Sequence, residues 1–192
     1  CALPILMRIE EALLMPIASQ AERSEFLRLK GDAHYGLAQV EDAMNAYSEG
    51  LRLDERNFHC LRGLGFIAWQ GHSNEEALMF FRKALAIQDH DVQAMLGIGL
   101  VYRRLGLTEE ALFWLERTVM QPEAPKAAIV ALAQACAQTA RPEVGIDCLV
   151  RTLDAIGDDH TLMMTLGQIY LNHGRVEEGN ELLKRALARE AA

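Results

Sequence analysis

The chain has 192 residues, 51% of them hydrophobic, and 27 acidic against 19 basic residues give it a formal charge of −8. That composition suffices for a packed fold, and its sign is wrong for a surface that must offset nucleic-acid phosphates. No run of eighteen apolar residues occurs, so no membrane span is expected.

Residues 1–23 are the least regular part. A helix from about Ile5 to Met15 is predicted, nearly apolar all round, with Arg8, Glu10 and Glu11 as its charges. Such a helix must be covered on more than one side. Leu6, Ile9, Leu13 and Leu14 share one face, with Leu3, Met7 and Ile17 elsewhere. The segment is therefore expected either to form a homodimer through residues 1–23 or to fold back over the chain's own groove. Cys1 in place of methionine suits a fragment, a processed chain or a lipidated terminus. A lipoprotein usually follows that cysteine with a polar tether, whereas Ala2-Leu3-Pro4-Ile5-Leu6-Met7 is apolar from the start.

From residue 24 onward the chain repeats. Ala43, Ala77 and Ala111 are 34 apart, and the same step leads to Gly145 and Gly179. Gly31, Gly65, Gly99, Ala133 and Gly167 keep the same period, which marks a repeat architecture. Within one period, Val92 to Leu105 places Met95, Ile98, Val101, Tyr102 and Leu105 at helical spacing. Gly106 ends that helix, and Thr108 offers an N-cap oxygen for a second one that runs to about Met120, before Pro122 and Pro125. Gly99 and Ala111 are expected to be small because the two backbones approach closely there. The pairs Glu41-Asp42, Glu75-Glu76, Glu109-Glu110 and Glu177-Glu178 recur at the opening of each second helix. Negative charge there complements the helix dipole, so these carboxylates read as caps rather than catalysts.

The fourth period departs from the pattern. Its first helix is predicted over Lys126 to Thr139, Gly145 replaces the packing alanine, and Pro142 opens the second helix. The last helix sets Asn180, Glu181, Lys184, Arg185 and Arg189 opposite Leu182, Leu183 and Leu187, the pattern of a solvated end cap.

Leu64-Gly65 with Glu76-Ala77 and Phe81, Gly99-x-x-Tyr102 with Gly106 and Ala111, and Leu166-Gly167-x-x-Tyr170 with Gly174 and Ala186 resemble the tetratricopeptide-repeat (TPR) signature. The resemblance implies an all-α fold, a right-handed α-solenoid of helix-turn-helix hairpins. Five units fit without a gap: 24–57, 58–91, 92–125, 126–159 and 160–192. It also implies that the first helices line a concave groove holding a peptide or helix of a protein partner. The positions that would do so include Arg28 and Tyr35, then Arg62, Phe66 and Trp69, then Leu96, Leu100, Arg103 and Arg104, then Gln134 and Gln138. Phe66, Trp69, Leu96 and Leu100 would form an apolar floor, with Arg62, Arg103 and Arg104 reading acidic or carbonyl groups. A chaperone-type carboxylate clamp does not fit, because its positions read Arg28, Asp32, Gly63, Gln93 and Gly97.

No catalytic, metal or cofactor site is expected. The six histidines form no H-x-x-x-H pair, and His59 and Cys60, adjacent on a helix, diverge by about 100°. Cys1, Cys60, Cys136 and Cys148 lack C-x-x-C spacing and suit a reducing compartment. The expected role is a cytoplasmic, non-enzymatic protein-binding scaffold. The alternatives are a chaperone for hydrophobic segments of secreted proteins, or a periplasmic or outer-membrane lipoprotein aiding pilus or secretin assembly if Cys1 is a native lipidated terminus.

Overall fold

The structure, a computed structural model, describes residues 2–13 and 19–190. Among them are eleven helices and no strand. They fall into two compact units, Cys1–Val101 and Tyr102–Ala192. The first holds α1 (Ala2–Leu13), α2 (Gln20–Gly36), α3 (Val40–Leu53), α4 (Phe58–Gln70), α5 (Asn74–Ile87) and most of α6 (Val92–Arg104). The second holds α7 (Thr108–Val119), α8 (Lys126–Cys136), α9 (Pro142–Ile156), α10 (His160–Asn172) and α11 (Val176–Glu190).

Turns inside the hairpins are set by a left-handed residue that itself recurs every 34 positions. Ala38 (φ 59°), His72 (φ 61°), Gly106 (φ 73°) and Gly174 (φ 79°) occupy it. The fourth hairpin has Ala140 there and turns differently. Thr139 Oγ1 donates to the Cys136 carbonyl at 2.7 Å and accepts the Arg141 amide at 3.1 Å, and Pro142 starts α9. This closes α8 at Cys136, three residues short of the predicted end. The acidic pairs lie in the first turns of α3, α5, α7 and α11 as expected. Thr108 is not an N-cap: α7 begins at Thr108 itself, behind Leu107, with no side-chain cap.

Packing in the first unit rests on two aromatic knobs. Tyr47 and Phe81, one period apart on α3 and α5, are 2% and 0% exposed. A Cβ at Gly31 or Gly63 would lie 2.5 or 2.6 Å from the Tyr47 ring, and one at Gly65 or Gly97 would lie 2.6 or 2.4 Å from the Phe81 ring. Each ring thus fills a slot between two glycines, one on the first helix of its own hairpin and one on the next. The small residues at 31 and 65 serve this insertion rather than a backbone contact. In the second unit the backbone reading does hold. A Cβ at Gly145 would meet Ala133 Cα at 2.6 Å, and one at Gly179 would meet the Gly167 carbonyl at 2.9 Å. Leu149 and Ala133, at the register positions of Phe81 and Gly65, belong to one buried cluster with Leu162, Leu166 and Tyr170.

Successive first helices are joined by polar contacts at their N-termini. Asn57 Oδ1 caps α4 by accepting the Cys60 amide at 3.2 Å, while its Nδ2 donates to Ser24 Oγ on α2 at 2.9 Å. Asp91 caps α6 through the Ala94 amide (2.6 Å) and pairs with Arg62 on α4 (2.7 Å). Asp159 caps α10 through the Leu162 amide (3.1 Å) and pairs with Lys126 on α8 (2.5 Å). Positions 57, 91 and 159, with Pro125 between the last two, are again 34 apart.

α1 packs on α2 with Leu6 and Ile9 buried, 8% and 6% exposed. These two leucine-face residues are therefore covered by the chain itself and do not present the self-association surface expected of them. The outward positions Pro4, Met7, Arg8 and Glu11 are mixed in character. The Leu13 side chain, Leu14, Met15 and Ile17 lie outside the described residues. At the other end Leu187 is 56% exposed, not turned inward with Leu182 and Leu183.

Candidate partner-binding surface

The first-helix face of the first unit collects most of the expected residues, but it uses their charges internally. Arg28 on α2 is 16% exposed at its side chain, donates to Glu25 Oε1 at 2.8 and 2.6 Å, and pairs with Asp32. The second Asp32 oxygen accepts the Tyr47 hydroxyl at 2.7 Å. Burial, with Asp32 beside it, pushes the Tyr47 hydroxyl well above its ordinary acidity range. Arg62 on α4 is held by Asp91, whose side chain is 3% exposed. Neither arginine is therefore poised to read an acidic partner. His59 stays below its usual basicity because burial, Arg62 and Arg28 all disfavour the imidazolium.

Aromatic residues on the same face are half-buried. Tyr35 packs against the cluster of Ala43, Tyr47, Cys60, Leu64 and Ile67, and burial pushes its hydroxyl above its ordinary acidity range, an effect that Gln70 offsets in part. Phe66 stands edge-on to Phe81, with centroids 5.0 Å apart and planes at 73°. Phe66 and Trp69 both keep part of their surface open, on a helix that packs directly on α2. Leu100 is half-buried, whereas Leu96 is 4% exposed and is a core residue rather than part of an open floor.

In the second unit Arg103 pairs with the Gln134 side chain, so those two expected contacts are brought together and engage each other. Burial, reinforced by Arg104, lowers the Arg103 basicity. Arg104 and Gln138 are exposed. Among the described residues no group of three His, Cys, Asp or Glu side chains is placed to hold a metal. Cys60 and Cys136 are buried free thiols, and burial pushes the Cys60 thiol up to about 12.

Gly63 and Gly97 were read from sequence only as positions lacking a clamp amide, and their packing role was missed. Its signal was present: the pairs Gly31/Gly65, Gly63/Gly97 and Tyr47/Phe81 are each separated by one period. Asp91 was missed as well, since its partner lies 29 residues away on another helix.

Residues 28–92 match a tetratricopeptide-repeat family model. No curated protein matches the chain in sequence. Among solved structures, that of PilW, described as a widely conserved type IV pilus biogenesis factor, aligns with TM-score 0.81 at 17% identity, over 89% of this chain and 79% of that one. Pseudomonas aeruginosa pilF aligns with TM-score 0.76 at 14% identity, over 87% and 78%. YrrB, described as a TPR protein with an unusual peptide-binding site, aligns with TM-score 0.67 at 18% identity, over 94% and 91%. At these identities the likeness is one of fold: an α-solenoid of helix-turn-helix hairpins.

Proposed function

We propose that the chain, which has the fold of tetratricopeptide-repeat proteins and matches their family model over residues 28–92, is a non-enzymatic scaffold whose first-helix face holds a peptide or helix of a partner protein. The supporting observation is the set Tyr35, Phe66, Trp69 and Leu100. Tyr35 and Phe66 are held by packing, and part of each of the four remains open to a ligand. Rigid, half-exposed aromatic residues give contact area with little ordering cost. Arg28, Arg62 and Arg103 already have partners in the chain. Recognition in this reading is therefore led by apolar contact in the first unit, and Arg104 and Gln138 are the exposed polar residues of the second that the reading retains. The net charge of −8 disfavours a nucleic-acid partner.

A pull-down comparing the wild type with Trp69→Ala plus Leu100→Ala tests the reading. Loss of captured proteins is expected, and equal capture by both would refute it.

No described helix is long and apolar enough to cross a membrane. We place the protein in the cytoplasm from its free thiols. The likeness to PilW is one of fold and does not by itself select the pilus-assembly or secretion-chaperone readings. A lipobox encoded directly before Cys1 would move the assignment to the lipoprotein reading. Self-association through residues 1–23 would now rest on Met7, Leu13 and Leu14. Light scattering of a chain lacking residues 1–20 tests it, and an unchanged mass would refute it.

A further inference from the structure

A second open surface lies on the second-helix side of the second unit. It is a cleft of about 580 Å³ between α7 and α9, floored by α8. Val119, Cys148 and Ala155 line it, Met120 at its lip is 81% exposed, and Glu116 and the Asp147–Arg151 pair (2.5 Å) form its rim.

The first unit carries the sibling of this cleft two periods earlier, between α3 and α5, at about 460 Å³. Leu51, Phe80, Lys83 and Ile87 there correspond to Val119, Cys148, Arg151 and Ala155, each 68 positions on. A phenyl ring and a branched aliphatic chain have been replaced by a thiol and a methyl group. The side chains missing at 148 and 155 are seven residues apart, two helical turns, or about 10 Å along the axis.

The geometry points to this cleft as a docking site for an amphipathic helix of a partner protein. That helix carries two large apolar side chains seven residues apart and a lysine or arginine beside them. The apolar spacing follows from the two truncated positions. The basic residue follows from the rim, where Asp147 is neutralised by Arg151 and Glu116 forms no ion pair among the described residues. The surface is separate from the first-helix face and uses none of its residues.

The probe is a fluorescent synthetic helical peptide with phenylalanine and leucine seven apart on one face and flanking lysines. Its binding is followed by anisotropy with the full chain in a Cys1→Ser background. Cys148 is half-buried in the cleft while Cys60 and Cys136 are buried, so its rate of modification by a thiol reagent reports occupancy. Saturable binding that slows Cys148 modification is expected. Filling the cleft as its sibling is filled, with Cys148→Phe and Ala155→Ile, should weaken binding by tenfold or more, on the order of 1.4 kcal/mol. Glu116→Lys should weaken it without touching the floor, and Trp69→Ala should leave it unchanged, which separates this site from the first-helix reading. Circular dichroism of the filled variant confirms its fold. No saturable binding, equal binding by the filled or Glu116→Lys variant, or equal binding of a peptide with glutamates for lysines would overturn the proposal. Self-association of the chain that disappears in the filled variant would also overturn it, by making a second copy the occupant.

Discussion

The Phe81 slot makes the sharpest claim about stability, and Gly97→Ala tests it. In an ordinary helix interior this change stabilises by about 1 kcal/mol. Here the new methyl would sit 2.4 Å from Phe81 Cζ and 2.6 Å from both adjacent ring carbons. The ring has little room to retreat, because it is 0% exposed and also lies against the Gly65 backbone, where an added Cβ would be 2.6 Å away. Overpacking of this kind costs about 1–3 kcal/mol, and a fully buried ring belongs at the upper end. Setting that against the helix gain leaves a net loss of about 2 kcal/mol. For a chain of this size the loss corresponds to a fall in melting temperature of about 4–8 °C.

Gly36→Ala is the control, since a Cβ there meets nothing within 4 Å and should stabilise. Phe81→Leu should rescue much of the Gly97→Ala loss, as the fourth hairpin has leucine at 149, the register position of Phe81, with Ala133 and Thr165 at those of Gly65 and Gly97. A thermal or urea melt followed at 222 nm measures all five proteins (wild type, the three single variants and the double variant), and the double-mutant cycle isolates the coupling. A Gly97→Ala variant as stable as Gly36→Ala would show that Phe81 is not confined as described.

Ala38→Gly and His72→Gly should each stabilise, by up to about 1 kcal/mol, because a side chain in the left-handed region costs about 1–2 kcal/mol and glycine offsets part of that with its own entropy. Gly106→Ala at the same register position should destabilise, and melts showing the same sign for all three would contradict the turn argument. Asp91→Ala should cost about 2 kcal/mol in urea unfolding, the upper range for a lost cap, because it also strips Arg62 of its partner. Hydrogen bonds from Lys126 and the Leu162 amide hold the Asp159 carboxyl below its ordinary value of 3.8. Its contribution is therefore present above that value and lost as pH falls through the lower native one. Asp159→Asn should flatten the acid limb of the stability curve, and an unaltered slope would refute the assignment.

How much of this was legible in the chain depends on whether a feature repeats within one helix or reaches between helices. Hairpin boundaries were readable because Ala43, Ala77 and Ala111, the acidic pairs and Gly106 act locally, through spacing, dipole and backbone conformation. The fate of the arginines was not. Arg62 meets Asp91 29 residues away and Arg103 meets Gln134 31 residues away, separations that no helical period links. Leu96 failed for a related reason: it is 4% exposed, and position alone does not show which side of a first helix is covered. The cleft beside α9 was invisible because it arises from what positions 148 and 155 lack relative to 80 and 87.

Taken together, the knobs and the caps explain why the first-unit hairpins pack in a single register. Apolar stripes alone allow a helix to slip by a turn with little loss, since one aliphatic contact replaces another. A slip of one turn, about 5.4 Å, would drive Tyr47 or Phe81 out of its glycine slot. It would also part Asn57 from Ser24 and Asp91 from Arg62, leaving buried polar groups unpaired at about 1–3 kcal/mol each. Both devices recur every 34 residues, one through size and the other through hydrogen bonding, and they penalise the same error independently. The half-open faces of Phe66 and Trp69 are held by that register, so their geometry is set by the packing of the hairpins and not by the ligand they are proposed to meet.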